Sequence, residues 1–242
     1  MSVICEQCDK SFEQLGKHWS HNSSCTYPNF SNEQNEIISG VLMGDGCLNI
    51  KKNKKSRLVI NMTNKEYLSY VSNKFGRFSN GISLARSASE SFKQAVNSGF
   101  SPNAVKENYS NVYRLEIMSH PEFQHFEKWY KTGKKVWPKN IDLTPTTLKH
   151  WYCGDGHFDN SGSNRFIEIE MSNESENTDK ITNIFESSGL PEPSNYSICS
   201  RENDRVDCTA QFTVSQSNRL WKYMGNHLPG FEYKWPEEYR NN

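Results

Sequence analysis

The sequence predicts an α+β protein in which one unit, read as helix, hairpin, helix, strand pair, helix, is used twice behind a short cysteine-rich segment. Three observations predict it. Two helix-like stretches end in the same triplet, IISGVLMGDG from Ile37 to Gly46 and TLKHWYCGDG from Thr147 to Gly156. This composition predicts about 0.03 such triplets by chance, so two at matching points of one pattern mark a duplication. Met62-Thr63-Asn64 and Met171-Ser172-Asn173 then follow Asp45 and Asp155 by 17 and 16 residues, and Lys135-Val136-Trp137-Pro138 answers Lys234-Trp235-Pro236.

With 242 residues the chain can bury a sizeable core as one large or two modest domains. The expected divisions are residues 1–30, 31–141 and 142–242. No apolar run is long enough to span a membrane, and MSVICEQCDK has no basic segment leading into an apolar stretch. An intracellular, non-secreted protein is expected, with its seven cysteines serving metal or left as thiols. The formal charge is zero overall but uneven, at −1 over 1–30, +8 over 31–141 and −7 over 142–242. A basic middle fits a polyanion gripped mainly by the first half, although charge alone also fits an ordinary solvated surface.

The first 30 residues contain Cys5-x2-Cys8-x12-His21-x3-Cys25, a spacing at which a short hairpin and a helix place four ligands around zinc. Phe12 sits where such a small core needs an aromatic ring. The segment resembles a C2H2-type zinc finger with cysteine as the last ligand, and a segment this short needs the metal to fold. His18 occupies a position usually apolar and is the alternative fourth ligand. Incidental reduced cysteines are the competing explanation.

Ser31 and Gln34 form a capping box ahead of the first motif helix. Gly40 and Gly44, a turn apart, allow a close helix contact. Asp45 sits at the negative end of that helix, where a carboxylate is disfavoured without a nearby cation, and Gly46 suits a left-handed helix end. CLNIKKNKKSRLVINMTN reads as a hairpin. Lys51, Lys52, Lys54 and Lys55 at its tip are candidates for DNA phosphates, with Asn49, Arg57 and Asn61 as candidates for base edges. A helix over KEYLSYVSNKFGRF follows, then strands at GISLAR and NVYRLEIMS separated by a polar loop at 87–110, then a helix over HPEFQHFEKWY.

The second half opens with Thr144 as N-cap and Pro145 at the first helical position. A hairpin turning at 160–164 follows Asp155. Then come a helix over TDKITNIFESSGL, strands at SNYSICS and CTAQFTVSQ, and a helix from Asn218.

Together IISGVLMGDG and LTPTTLKHWYCGDG resemble the motifs of two-repeat LAGLIDADG homing endonucleases, and the similarity in motif placement runs over about residues 33–238. The resemblance implies an αββαββα unit used twice, motif helices side by side, and two sheets forming a saddle over the DNA major groove. It implies a monomer that cuts double-stranded DNA at a long asymmetric site, in the service of intron or intein homing. It also implies magnesium on Asp45 and Asp155, with weaker help from the Gly44 and Gly154 carbonyls, and a catalytic lysine near each centre. By the matched links these are Lys135, with Lys134 as rival, and Lys234.

Two departures stand out. Gly40 corresponds to the bulky His150, and Glu168 and Glu170 share a strand face over the expected groove, where a carboxylate repels phosphate but can accept from cytosine N4. A second reading keeps the fold without cleavage, as an intron RNA maturase or a DNA-binding regulator. Retention of both acidic tips favours the nuclease.

Overall fold

The computed structural model describes residues 2–21, 24–50, 55–97, 105–130, 133–160, 165–200 and 206–240. It divides into two compact units, one of Met1–Gln34 with Cys47–Glu127 and one of Asn35–Gly46 with Lys128–Asn242. The fold is mixed α+β with antiparallel sheets.

In the first unit a two-stranded ribbon, β1 (Val3–Ile4) and β2 (Ser11–Phe12), precedes α1 (Leu15–His21). Helix α2 (Asn32–Met43) begins here behind the expected capping box: Ser31 N–H donates to Gln34 Oε1 at 2.9 Å and Gln34 N–H to Ser31 Oγ at 3.1 Å. The sheet consists of β3 (Gly46–Asn49), β4 (Arg57–Met62), β5 (Ser79–Arg86) and β6 (Val112–Ile117) in the order β3-β4-β6-β5. Its apolar alternation turns Leu58, Ile60, Leu115 and Ile117 inward against Tyr67, Leu68, Val71 and Phe75 of α3 (Lys65–Phe75). The 87–110 stretch read as a polar loop contains α4 (Ala88–Asn97), begun by Glu90 accepting from the Ser87 N–H at 2.7 Å. The single helix expected over HPEFQHFEKWY is broken into a 3₁₀ turn, the four-residue α5 (Gln124–Glu127) and a second 3₁₀ turn.

The second unit repeats the plan. α6 (Pro145–Asp155) starts as expected, with Thr144 Oγ1 accepting from the Thr147 N–H at 3.2 Å. Strands β7 (Gly156–Asp159), β8 (Phe166–Glu170), β9 (Asn195–Ser200) and β10 (Val206–Gln211) take the equivalent order β7-β8-β10-β9. Helices α7 (Thr178–Ser187) and α8 (Val214–Met224) cover the sheet with Ile181, Ile184, Phe185, Leu220 and Trp221. α8 starts four residues before the expected Asn218 because Thr213 and Gln216 form a capping box. The last two turns of α2 bury Ile37, Ile38, Val41, Leu42 and Met43, an apolar surface on nearly every side, as a core helix requires.

The second glycine of each GDG triplet has a different role from the one expected. Neither Gly46 nor Gly156 adopts a left-handed conformation; Gly156 is extended, at φ −77° and ψ 149°, and each glycine opens a strand. The constraint is space: a Cβ on Gly46 would lie 2.7 Å from the Val41 carbonyl oxygen, and one on Gly156 would overlap the Tyr152 ring.

Candidate active site

Asp45 and Asp155 both belong to the second unit, and the helix contact brings them together. A Cβ placed on Gly154 would lie 3.4 Å from Gly44 Cα, 3.2 Å from Asp45 N and 3.6 Å from Asp45 Oδ2. One placed on Gly44 would lie 3.5 Å from Gly154 Cα and 3.8 Å from the Asp155 carboxyl carbon. Gly40 meets Thr147 and His150 of α6 in the same way, and Thr147 Oγ1 donates to the Glu36 carbonyl at 3.4 Å. Paired glycines thus let the two carboxyls converge.

The convergence has an electrostatic cost. Burial raises the Asp155 carboxyl to about 7, the charge of Asp45 adds to the rise, and Lys135 and Lys234 oppose it. Asp45 keeps its tip in solvent, yet crowding by protein atoms raises its pKa too, against the pull of Lys234 and Lys135. Glu170 pushes both carboxyls in the same direction. Sequence reasoning placed Glu170 only at a base-reading position; its register with Asn61 after the MSN match was the available signal.

Both expected lysines lie on helix ends. Lys135 Nζ donates to the Gly44 carbonyl at 2.5 Å and the Gly46 carbonyl at 3.2 Å. Lys234 Nζ donates to the carbonyls of Cys153 at 2.7 Å, Tyr152 at 3.3 Å and Gly154 at 3.4 Å. Each ammonium therefore donates to carbonyls at or just beyond the last turn of a motif helix, where Tyr152 O also accepts from the Gly156 N–H, and offsets the negative end of the helix dipole. The Gly44 and Gly154 carbonyls, expected as weak magnesium ligands, carry these ammonium groups. Lys234 is only 8% exposed, and burial lowers its pKa against the pull of Cys153, Asp45 and Asp155. Lys135 is half-buried and its rival Lys134 is exposed.

On the open face of the first sheet, Arg57 Nη1 meets Glu116 Oε2 at 2.8 Å, and Arg114 Nε donates to Asn61 Oδ1 at 2.9 Å. Arg114 is exposed and was missed from sequence; Asn61 sits directly across from it in the β4–β6 register. Asn49 is half-buried at the end of β3. Lys55 lies over the Tyr27 ring at 3.9 Å, while Lys51, Lys52 and Lys54 fall outside the described residues, as does most of the expected 160–164 turn. In the second sheet the positions equivalent to Asn61 and Arg114 are Glu170 and Thr209. Glu168 accepts from Gln211 Nε2 at 2.7 Å, and Gln211 Oε1 accepts from Asn195 Nδ2 at 2.8 Å, so one of the two glutamates is held in an amide relay.

In the first unit, Cys5, Cys8, His18 and Cys25 bring one ligand atom each to within 4.8 Å of one another. This corrects the expected set: the histidine is His18, and His21 is exposed. The inward face of α1 carries Leu15, His18 and Trp19, and the Phe12 ring stacks on His18 at 3.8 Å and 16°. That stacking is the use of Phe12 that spacing alone did not reveal. A tight turn gathers the first two cysteines, with Cys8 N–H and Asp9 N–H both donating to the Cys5 carbonyl and Asp9 at φ 54°. Burial raises the Cys25 thiol to about 11, and Cys8 and Cys5 add to the rise.

A duplicated αββαββα plan with two acidic helix ends in glycine contact defines a protein of the LAGLIDADG fold. Residues 35–190 match the sequence profile of the LAGLIDADG DNA endonuclease family, and the chain belongs to that family. An uncharacterized protein of Methanocaldococcus jannaschii is 27% identical over 137 residues, which are 54% of this chain and 46% of that relative, so the match spans less than half of its length. Among solved structures, the homing endonuclease I-WcaI bound to its DNA recognition sequence is similar at TM-score 0.66 and 17% identity, over 91% of each chain. I-DmoI in complex with DNA and manganese is similar at TM-score 0.45 and 12% identity, over 81% of this chain and 98% of that one. The N-terminal LAGLIDADG domain of WhiA is similar at TM-score 0.45 and 11% identity, over 93% of this chain and 94% of that one. Among the described residues, no helix is long and apolar enough to cross a membrane.

Proposed function

We propose that the protein is a site-specific endonuclease that hydrolyses both strands of duplex DNA, with one acidic centre per repeat and magnesium as cofactor. The observation that carries this reading is the meeting of Asp45 and Asp155 through the Gly44–Gly154 contact. Membership of the family supports it, and the similar fold of I-WcaI belongs to a homing endonuclease bound to its DNA recognition sequence.

The residues present fit a divalent cation. Asp45 and Asp155 converge beside Glu170, and both carboxyls are raised, chiefly by burial, so a bound cation would favour their ionised forms. Asp45 and Asp155 would hold the metal, with only the second lone pair of the Gly44 and Gly154 carbonyls left to contribute. Bound magnesium supplies Lewis-acid polarisation of a phosphate oxygen and acidification of water. Lys135 and Lys234 hold the helix ends in place and favour the ionised carboxylates. Arg57, Arg114 and Asn61 on the open face of the first sheet offer donors and acceptors to base edges, and the lysine-rich 51–55 stretch offers charge to phosphates. A long asymmetric target suits a monomer whose two sheets differ in charge.

We assign zinc to Cys5, Cys8, His18 and Cys25. Three thiols and an imidazole are a donor set that suits tetrahedral zinc. The zinc segment has a structural role in the first unit, where Trp19 packs on Phe78 at 6.0 Å and Glu6 pairs with Arg77.

The second reading, a non-cleaving maturase or DNA-binding regulator, draws support from Glu168 and Glu170 on the open face of the second sheet. One experiment separates the two. Duplexes are recovered from a randomised pool on the full chain in calcium, then incubated with it in magnesium. The nuclease reading expects cutting of both strands, with double-strand cleavage abolished in Asp45→Asn and in Asp155→Asn. Binding without cutting favours the second reading, and full double-strand cutting by Asp155→Asn overturns the two-centre assignment.

A further inference from the structure

The second unit contains a fully buried carboxylate that the site described so far does not use. Glu174 lies on the 3₁₀ turn after β8, and its side chain has no solvent exposure. Its oxygens have three partners. Oε1 accepts from the Trp137 backbone N–H at 2.5 Å, and Oε2 accepts from Asn177 Nδ2 at 3.0 Å and from Lys180 Nζ, with which it forms an ion pair. The same Lys180 ammonium donates to the Trp137 carbonyl at 3.1 Å. The pair therefore grips both the N–H and the C=O of one residue in the link between the repeats. The Trp137 ring stands edge-on to Trp151 of α6 at 4.9 Å, and the preceding Val136 N–H donates to the Trp129 carbonyl at 2.7 Å.

Two residues before that grip is Lys135, whose ammonium reaches the Gly44 and Gly46 carbonyls. A buried ion pair is a poor source of stability, because the desolvation of both charges offsets their attraction. Its geometric effect is definite: with Trp137 held at both backbone atoms, the link has little freedom to move Lys135 off the end of α2. The other lysine is anchored differently. Tyr152 Oη donates to the Lys234 carbonyl at 2.8 Å, and the residue matching Glu174 in the first repeat is Lys65, which lies over the Tyr113 ring at 5.3 Å.

We propose that Glu174 and Lys180 are positioning residues for Lys135: gripping Trp137 from both sides, they hold the Lys135 ammonium at the helix end beside Asp45. Residues of the second repeat thereby set the geometry of the first centre. The catalytic consequence rests on the endonuclease reading, whereas the grip itself does not.

Two measurements on the full chain test this. The variants are Glu174→Leu with Lys180→Met, which removes both buried charges at similar volume, and Glu174→Gln, which keeps an acceptor for the Trp137 N–H. In the first measurement, acetic anhydride labelling read by mass spectrometry reports amine access. The double variant should raise Lys135 labelling several-fold towards that of exposed Lys134, with Glu174→Gln in between. In the second, single-turnover cutting of a recovered duplex in magnesium should slow about 10- to 100-fold on one strand, with the other strand and DNA affinity unchanged. Wild-type Lys135 labelling in a variant that keeps its circular dichroism overturns the proposal, as does equal slowing of both strands. If the double variant does not fold, Glu174→Gln carries both measurements. A wild-type protein that binds but never cuts removes the endonuclease reading, and labelling alone then decides the grip.

Discussion

Gly40 of α2 faces His150 of α6 so closely that a Cβ on the glycine would lie 2.7 Å from His150 Cβ and collide with the Thr147 carbonyl oxygen. In the repeat alignment the two positions correspond, so His150 looked like a departure from small-residue packing. In three dimensions they are partners, and the absent side chain of one makes room for the Cβ of the other. One turn along, Gly44 and Gly154 make the symmetric small–small contact that sets the spacing of the two aspartates.

Gly40→Ala should therefore destabilise the protein by about 1–3 kcal/mol through overpacking. Adding His150→Gly, which removes the crowded Cβ, should recover only part of the loss, because the Thr147 carbonyl oxygen stays in place. Urea denaturation of the single and double variants measures both effects, and additive losses would show that the two positions are not coupled.

Asp155, raised to about 7 by burial and then by Asp45, links stability to pH in the metal-free protein. Above the ordinary carboxylate value of about 4 the unfolded chain releases this proton while the folded chain keeps it, so stability falls as pH rises through about 7. Thermal midpoints in a chelator should drop between about pH 5 and about pH 8. Asp155→Asn should flatten the slope, and magnesium should counter it by favouring the ionised form.

Lys234 satisfies three carbonyls at the end of α6 from an almost buried position. Lys234→Met should cost about 1–3 kcal/mol, since those carbonyls lose a charged donor. Exposed Lys134→Met should stay within about 0.5 kcal/mol of wild type. Chemical denaturation of the two variants checks the contrast.

The thiol cluster selects between two histidines. Native mass spectrometry should find one zinc in the wild type and in His21→Ala, with zinc weakened or lost in His18→Ala. Chelation should alter the fluorescence of Trp19, which is buried on the same helix.

Much of this protein was legible in its residues because the relevant signals are local. Capping boxes, the proline at the start of α6 and the alternation in β4 and β8 act within a few positions of themselves. The doubled GDG triplet and the matching MTN and MSN triplets mark the repeat, and with it the pairing of Asp45 with Asp155. The helix hidden in the 87–110 stretch was missed because its composition is polar and its apolar face is slight. The start of α8 is hidden in the sequence because the Thr213–Gln216 box continues the strand-like run CTAQFTVSQ.

The sequence by itself determined the duplicated α+β plan, the two acidic helix ends and the grouping of cysteines with histidine near the start of the chain. Only the tertiary structure decided that His18 is the histidine that joins the cysteines, that Gly40 accommodates His150, that Glu170 presses on both aspartates, and that both lysines rest on backbone carbonyls at the helix ends. These outcomes depend on which face of an element turns inward and on which distant backbone atoms are left without partners. A buried donor or acceptor must find a partner wherever the packing provides one, and spacing along the chain does not say where that is.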